Sequence, residues 1–263
     1  MTEWNASDYY EQSALQKWVA EKCLASLALV GSERVLDVGC GDGKITAEIA
    51  ARLPLGSIVG VDPSTRMIAF AREHFGGEES RAEFAVGDAT RLPYRDEFDL
   101  VVSFNALHWV SEQEAALGCI AAALRRGGRS LLQFVSRGER QALEDIIEAT
   151  RASPRWSRYF GDYRKPYAHF TPEEYGAMAE RAGLRIERID TVLEAWDFGS
   201  RQGFADFAHA TFVEWTRMIP AAEGAEFIGD VLDRYRQIGD GSPADANVFH
   251  FYQMKVQLRR QPC

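Results

Sequence analysis

Residues 35–46 read VLDVGCGDGKIT. The run opens as a buried strand would, apolar and β-branched, breaks at Asp37, and then sets Gly39, Gly41 and Gly43 at alternate positions. Glycine loses more backbone freedom on folding than any other residue, so this cluster requires a reason. A strand, a glycine turn and a helix in succession supply one. Free backbone N–H groups and the positive end of the helix can face a ligand, and the missing side chains let that ligand touch the main chain.

The spacing narrows the ligand. Dinucleotide turns run GxGxxG, whose third glycine lets helix and strand pack behind the pyrophosphate. Here the pattern from Gly39 is GxGxGK. A P-loop requires GxxxxGK followed by Ser or Thr, whereas Lys44 is followed by Ile45. NAD, FAD and nucleotide hydrolysis are therefore disfavoured.

Outward from the turn, RVLDV, SIVGVD, AEFAVGD, DLVVSF and RSLLQF are short apolar or β-branched runs, most of them separated by helical segments. That alternation describes an α/β protein with a parallel sheet. Twenty-five residues separate Asp37 from Asp62 and 26 separate Asp62 from Asp88. Each interval is about one strand, turn and helix, and each ends on a carboxylate at the carboxyl end of a strand, where open α/β sheets bind ligands. Upstream, residues 13–30 place Leu15, Trp18, Val19, Cys23 and Leu27 at helical spacing, and Ser13 with Gln16 fits a capping box.

Downstream, residues 137–170 are rich in Arg, Tyr and Trp with weak periodicity. Thr171, Pro172 and Glu174 open a helix that Gly183 closes. LRIERIDTVLEAWDF reads as a strand, residues 201–238 as aromatic helical material, and VFHFYQMKVQL as a final strand.

Composition excludes several classes. The 263 residues, 46% apolar, suffice for a buried core. A net charge of −9 with dispersed basic residues leaves no broad footprint for nucleic acid or anionic lipid. Cys23, Cys40, Cys119 and Cys263 form no CxxC pair, and His74, His169, His209 and His250 show no close ligand spacing, so neither a metal site nor a disulfide scaffold is expected. The isolated cysteines predict a reduced, cytoplasmic protein; the polar, acidic N-terminus is no signal peptide, and no apolar run is long enough to span a bilayer.

The segments LDVGCGDG, VGVDPSTRMIAFAR, GDATRLPYRDEFDLVVSFNALHWV and LRRGGRSLLQF resemble, in order, the successive motifs of class I S-adenosylmethionine-dependent methyltransferases. The resemblance implies a Rossmann-like, doubly wound, mostly parallel seven-stranded sheet with an antiparallel last strand and a helical, aromatic lid. It implies S-adenosyl-L-methionine as cofactor. Gly39 and Gly41, with Cys40 between them, would lie against its methionine part near Asp37; Asp62, beside Pro63, would accept from both ribose hydroxyls. Met67 would pack the adenine, Asp88 and the Ala89 amide would read its edge, and Asn105 would line the methionine side. Asp62 before Pro63 and Ser64 could instead merely start a helix.

WNASDYYEQSALQKW at the N-terminus and SFNALHWV at residues 103–110 are similar to segments of a narrower group, the trans-aconitate and the juvenile-hormone-acid or farnesoic-acid methyltransferases. Those enzymes methylate carboxylates of small molecules. The likeness implies that residues 1–30 cover the cofactor, with Tyr9, Tyr10 and Gln16 near the methionine or the acceptor. His108 and Trp109 would flank the reacting centre, His108 also touching the cofactor. The catalytic candidates are thus His108, Trp109, Gln16 and Tyr10. A carboxylate is ionised at neutral pH and needs no base, whereas a phenol, amine or carbon acceptor would want one, for which His108 is the candidate. Each has a plainer alternative: Gln16 as the capping partner of Ser13, Trp109 as core, His108 bonded to a carbonyl.

The expected organisation is one methyltransferase domain over residues 1–263, with a cofactor-binding core at 31–136 and lid insertions at 137–170 and 200–246. The lid aromatics Trp156, Tyr159, Phe160, Tyr163, Tyr167, Phe198, Phe204, Phe207, Phe212 and Trp215 could line an acceptor pocket or form the lid's own core. Arg158 and Arg164 could hold a carboxylate. Aromatic richness favours a larger, partly apolar acid over a small tricarboxylate. The expected reaction is O-methylation of a small-molecule carboxylate by a monomer or homodimer with no nucleic-acid or membrane partner. The alternatives are C- or N-methylation of a natural-product scaffold and a non-catalytic S-adenosylmethionine-binding protein.

Overall fold

Runs such as Val35–Val38 and Ile58–Val61 are buried on both faces because helices cover each side of the sheet they join. In the computed structural model, which describes residues 14–25, 27–77, 79–238 and 245–261, the chain runs through sixteen principal elements. They are α1 (Ala14–Leu24), β1 (Arg34–Val38), α2 (Lys44–Ala50), β2 (Ser57–Asp62), α3 (Thr65–Phe75), β3 (Ala82–Val86), β4 (Phe98–Phe104) and α4 (Gln113–Ala123). After these come β5 (Leu124–Val135), α5 (Leu143–Arg151), α6 (Pro172–Arg181), β6 (Leu184–Asp197), α7 (Arg201–Thr211), α8 (Val213–Thr216), α9 (Gly224–Ile238) and β7 (Val248–Arg260).

The strands form one sheet in the order β3-β2-β1-β4-β5-β7-β6. β1 to β5 pair in parallel, and β7 runs antiparallel to both β5 and β6, so only the last strand is reversed. Alternate residues feed two cores. Leu36, Val38, Val59 and Val61 meet Leu117 and Ile120 of α4 and Tyr175 of α6. Val35 and Ile58 meet Ile49 of α2 and Ile68 of α3 on the other face. Each such aliphatic side chain contributes about 1.5–3 kcal/mol by leaving water. Strand order reverses between β1 and β4, and at this switch point the flanking connections diverge and leave a crevice at the carboxyl ends.

Both long excursions leave from that same edge. One follows β5 and carries α5; the other leaves β6 at Asp197 and returns to β7 at Val248, which pair with each other. Their apolar residues, including Leu143, Trp156, Phe204, Trp215 and Phe227, form a third core with Leu15 and Val19 of α1 and Phe249 and Phe251 of β7. The ion pair Lys22–Glu194 (2.7 Å) and the Trp18–Trp196 contact (centroids 5.4 Å) tie α1 to β6.

Two local readings change. The helix expected over residues 13–30 ends at Leu24, because the Leu24 carbonyl accepts from Leu27 N (3.1 Å) and Arg52 Nη1 (3.0 Å). Leu27 is still buried. The segment 137–170, of weak periodicity, contains α5, whose Leu143, Ile146 and Ile147 are buried. The capping box at Thr171 forms as expected, with Pro172 in the first turn and Gly183 at φ +80°. Ser13, Tyr9 and Tyr10 lie outside the described residues, as does the side chain of Gln16. No helix among the described residues is long and apolar enough to cross a membrane. No group of three or more metal-capable side chains gathers among them.

Candidate active site

The three glycines of the turn serve three different ends. A Cβ on Gly39 (φ +80°) would fall 2.1 Å from the Ala106 Cβ, where the turn after β1 crosses the one after β4. A Cβ on Gly43 (φ +84°) would fall 2.7 Å from the Ala71 Cβ and 2.8 Å from Phe84, where α2 packs on α3 and β3. A Cβ on Gly41 (φ +52°) would meet no protein atom within 4 Å. It would stand in a cleft of about 520 Å3 that Gly39 and Gly41 help to line.

The amides expected to face a ligand are otherwise engaged. Gly39 N and Cys40 N both donate to the Val61 carbonyl (2.7 and 3.0 Å), and Gly41 N donates to Asp62 Oδ2 (3.1 Å). What the turn offers a ligand is therefore space and main-chain surface more than open N–H groups. Asp62, at the end of β2, also accepts from Ser64 N through Oδ1 (2.9 Å). Ser64 itself caps α3 through Met67 N (3.2 Å), so starting the helix falls to Ser64 and the Asp62 carboxylate is oriented at the cleft rim.

Around the cleft follow Pro63, Met67, Asp88, Ala89, Asn105 and Trp109. Asp88 Oδ1 accepts from the N–H and hydroxyl of Thr90 (both 2.8 Å) and so fixes the turn carrying Ala89. Carboxylates outnumber cations on the wall, with Asp62, Asp88, Glu112 and Glu214 against Arg91 and Lys165. Three predicted positions are not on it, Asp37, Cys40 and His108. Asp37 lies beneath the turn, buried, accepting from the Thr46 hydroxyl (2.6 Å); burial pushes its carboxyl up to about 7, with the Asp62 charge adding to the rise. The Cys40 thiol is buried against Gly60, and burial raises its pKa well above the usual value.

A second cavity, of about 90 Å3, adjoins the cleft. Asn105 and Trp109 line both spaces and mark their junction. Asn105 is one of two described non-glycine residues at positive φ (+54°). Its N–H donates to Gln133 O (2.8 Å) and its Oδ1 accepts from Gln253 Nε2 (2.9 Å), so β5 and β7 hold it in that conformation. Such strain costs on the order of 1–3 kcal/mol and concentrates at functional sites.

His108 lines the smaller cavity and not the cleft. Its ring is buried beside Trp109 (5.1 Å) and His169 (6.2 Å), and its Nδ1 has no hydrogen-bond partner. Burial, with the His169 ring adding to it, lowers its pKa to about 3, so it is neutral at physiological pH and a poor base. Of the lid aromatics only Phe207, Phe212 and Trp215 reach this cavity; Trp156, Phe160 and Phe204 pack within the lid core. Arg158 pairs with Glu223 and lines neither space, nor does Arg164. The described lining holds no Lys or Arg. At about 90 Å3 the cavity is smaller than the roughly 150 Å3 that admits a benzene ring, so the aromatic-rich sequence encloses less room than a large acceptor would need.

Sequence reasoning passed over Glu144 and Gln253, which also line the cavity. Glu144 Oε2 and Gln253 Oε1 are inaccessible and unpartnered. Such orphans cost about 1–3 kcal/mol each, more when charged. No local pattern announces them.

A sequence model of the methyltransferase domain matches residues 35–128. The malonyl-[acyl-carrier protein] O-methyltransferase of Geobacter sulfurreducens is 34% identical over 70% of this chain and 68% of its own. The juvenile hormone acid O-methyltransferase of Bombyx mori is 32% identical over 68% of each. The trans-aconitate 2-methyltransferase of Variovorax paradoxus is 29% identical over 82% of this chain and 79% of its own. Among solved structures, Haemonchus contortus phosphoethanolamine N-methyltransferase 2 in complex with S-adenosyl-L-methionine has the same fold (TM-score 0.61, 18% identity), covering 98% of this chain and 57% of that one. The chain belongs to the class I S-adenosylmethionine-dependent methyltransferases.

The cleft suits that cofactor. Gly41 leaves main chain exposed to the cleft, Met67 and Ala89 add apolar surface that would suit a base, and the acidic wall would suit a sulfonium and an ammonium group. Its volume lies within the roughly 300–1,000 Å3 of ligand pockets.

Proposed function

We propose that this enzyme O-methylates the carboxylate of a compact, partly apolar acid. The observation that carries the proposal is the pair of joined spaces, a cofactor-sized acidic cleft opening at Asn105 and Trp109 onto a small, largely apolar cavity. Relatives named for acid, malonyl and aconitate O-methylation support the carboxyl as acceptor.

In this reading Asp62 accepts from the ribose hydroxyls, Asp88 and the Ala89 amide read the adenine edge, and Gly39 and Gly41 lie against the methionine portion. Asn105 holds the methionine side, with Tyr9, Tyr10 and Gln16 closing the site from the N-terminal segment. Residues 31–136 form the cofactor core; 137–170 and 200–246 form the lid. The cofactor supplies an electrophilic methyl on sulfur. One C–O bond forms as the C–S bond breaks, and the positive and negative charges of the reactants both disappear. An environment that excludes water therefore favours the transition state over the charged ground state, and alignment contributes most of the rest. Trp109 and Trp215, edge to face at 6.1 Å, wall the reacting centre from solvent. His108, neutral, positions the acceptor and does not act as a base.

One observation favours a second reading, methylation of an amine or hydroxyl: the cavity's described lining contains Glu144 and no cation. A single assay separates the two. The protein is incubated with methyl-labelled S-adenosylmethionine and a panel of small acids, phenols and amines, and the product is treated with alkali. Label released as methanol identifies a carboxyl ester; label retained refutes the proposal and assigns nitrogen, carbon or an ether oxygen.

A further inference from the structure

Glu144 sits in the first turn of α5, where an acid complements the positive helix end. That accounts for its charge. It does not account for an Oε2 that is shut off from solvent and has no partner, on a residue that lines the cavity. Across the same cavity, Gln253 donates its Nε2 to Asn105, which fixes its Oε1 as the acceptor end, and that oxygen is unpartnered too. An ionised carboxylate and an amide oxygen only accept hydrogen bonds. His169 lies near enough to feel the Glu144 charge, but burial lowers its pKa and holds it neutral. The cavity thus offers these two acceptors beside the unpartnered His108 Nδ1, and its described lining holds no Lys or Arg to satisfy them.

We propose that Glu144 is a specificity-determining residue: it accepts a hydrogen bond from a hydroxyl or ammonium group on the acceptor's skeleton, so that the enzyme selects a donor-bearing acid over the plain acid of the same length. The inference rests on the reading of the smaller cavity as the acceptor's seat. Gln253 Oε1 accepts a second bond where the donor has one to give. A site built to pair a donor rejects the analogue lacking it, because its buried oxygen is then left desolvated and unmatched.

The test is calorimetric titration of the full-length protein, saturated with S-adenosylhomocysteine, against matched straight-chain carboxylates of three to five carbons. Each length is used plain, with a terminal hydroxyl, and with a terminal amine, which also tells the two donors apart. The expected result is at least tenfold tighter binding of a donor-bearing acid at one length, falling to less than twofold in Glu144→Leu and only partly reduced in Glu144→Gln. Glu144→Leu is also expected to raise the Tm of the ligand-free protein, because it replaces an orphaned polar group with an apolar one. Equal binding across every set, absence of binding by all donor-bearing acids, or a preference that survives Glu144→Leu overturns the inference. So does a Glu144→Leu protein with lowered Tm and equally weakened binding of both members, the mark of a structural role. If the preference holds but transferred label resists alkali, the carboxyl reading fails and the role of Glu144 stands.

Discussion

Gly41→Ala and Gly43→Ala, two positions apart, are expected to fail in different ways. At Gly41 the backbone is left-handed (φ +52°) and the new methyl meets no protein atom within 4 Å. The folding cost is then that of holding alanine in that region, about 1–2 kcal/mol, a fall in Tm of roughly 2–4 °C per kcal/mol. The methyl nevertheless occupies the cleft. Overpacking of one methyl against a ligand costs about 1–3 kcal/mol, or about 5- to 150-fold in affinity. At Gly43 (φ +84°) the same methyl lies 2.7 Å from Ala71 and 2.8 Å from Phe84, so overpacking adds to backbone strain and the folding loss is about 2–5 kcal/mol. Folded Gly43→Ala protein should bind the cofactor within a few-fold of wild type, since this position does not line the cleft. Urea unfolding and calorimetry with S-adenosylhomocysteine measure both quantities on the same preparations. Wild-type affinity in Gly41→Ala, or equal losses of affinity in the two variants, would refute the division of labour.

Asp37→Asn tests the buried carboxyl beneath the turn. The unfolded group titrates near roughly 3.9 and the folded one at about 7. The folded chain therefore binds more protons in between, and the stability contribution of Asp37 is present below about pH 4 and lost as pH rises to 7, by at most about 4 kcal/mol. The asparagine variant should gain on wild type between pH 4.5 and 8 in denaturant melts; a constant difference contradicts the assignment. His108 has the opposite sign. With its folded pKa lowered to about 3, its contribution is present above the unfolded value of roughly 6.5 and lost as pH falls toward 3, and its titration leaves no inflection in kcat/KM between pH 5 and 9. His108→Asn should remove the corresponding slope in stability; an inflection near 6–7 that vanishes in this variant would show that histidine titrates in turnover. Glu148 accepts from Trp215 Nε1 (2.9 Å) and the Tyr163 hydroxyl and pairs with Arg151 (2.7 Å). Glu148→Leu leaves these donors unmatched and should cost about 3–5 kcal/mol in a urea melt; a loss under 1 kcal/mol would show that the lid core does not depend on it.

Much of the fold was legible because its signals are local. The strand runs, the 25- and 26-residue intervals between Asp37, Asp62 and Asp88, and the capping box at Thr171 each report on a few neighbouring residues. The short helix α5 was obscured by the aromatic and basic residues around it, which belong to a lid core assembled from separate segments. Amides expected to be open in the glycine turn are bonded to Val61 and Asp62, partners 21 or more residues away whose register appears only once β1 and β2 pair.

The sequence by itself determined the order of strands and helices, the glycine turn and the carboxylates at the strand ends, because backbone propensity and hydrophobic period act over short range. Only the tertiary structure decided which glycine opens onto the cleft, that Asp37 lies beneath it and His108 beside it, and that Asn105 is held in a strained conformation by Gln133 and Gln253. It alone brought Glu144 into a cavity with Gln253, 109 positions further along the chain. Burial and unmatched hydrogen bonds depend on what the rest of the chain places around a residue, and no short stretch encodes its distant neighbours.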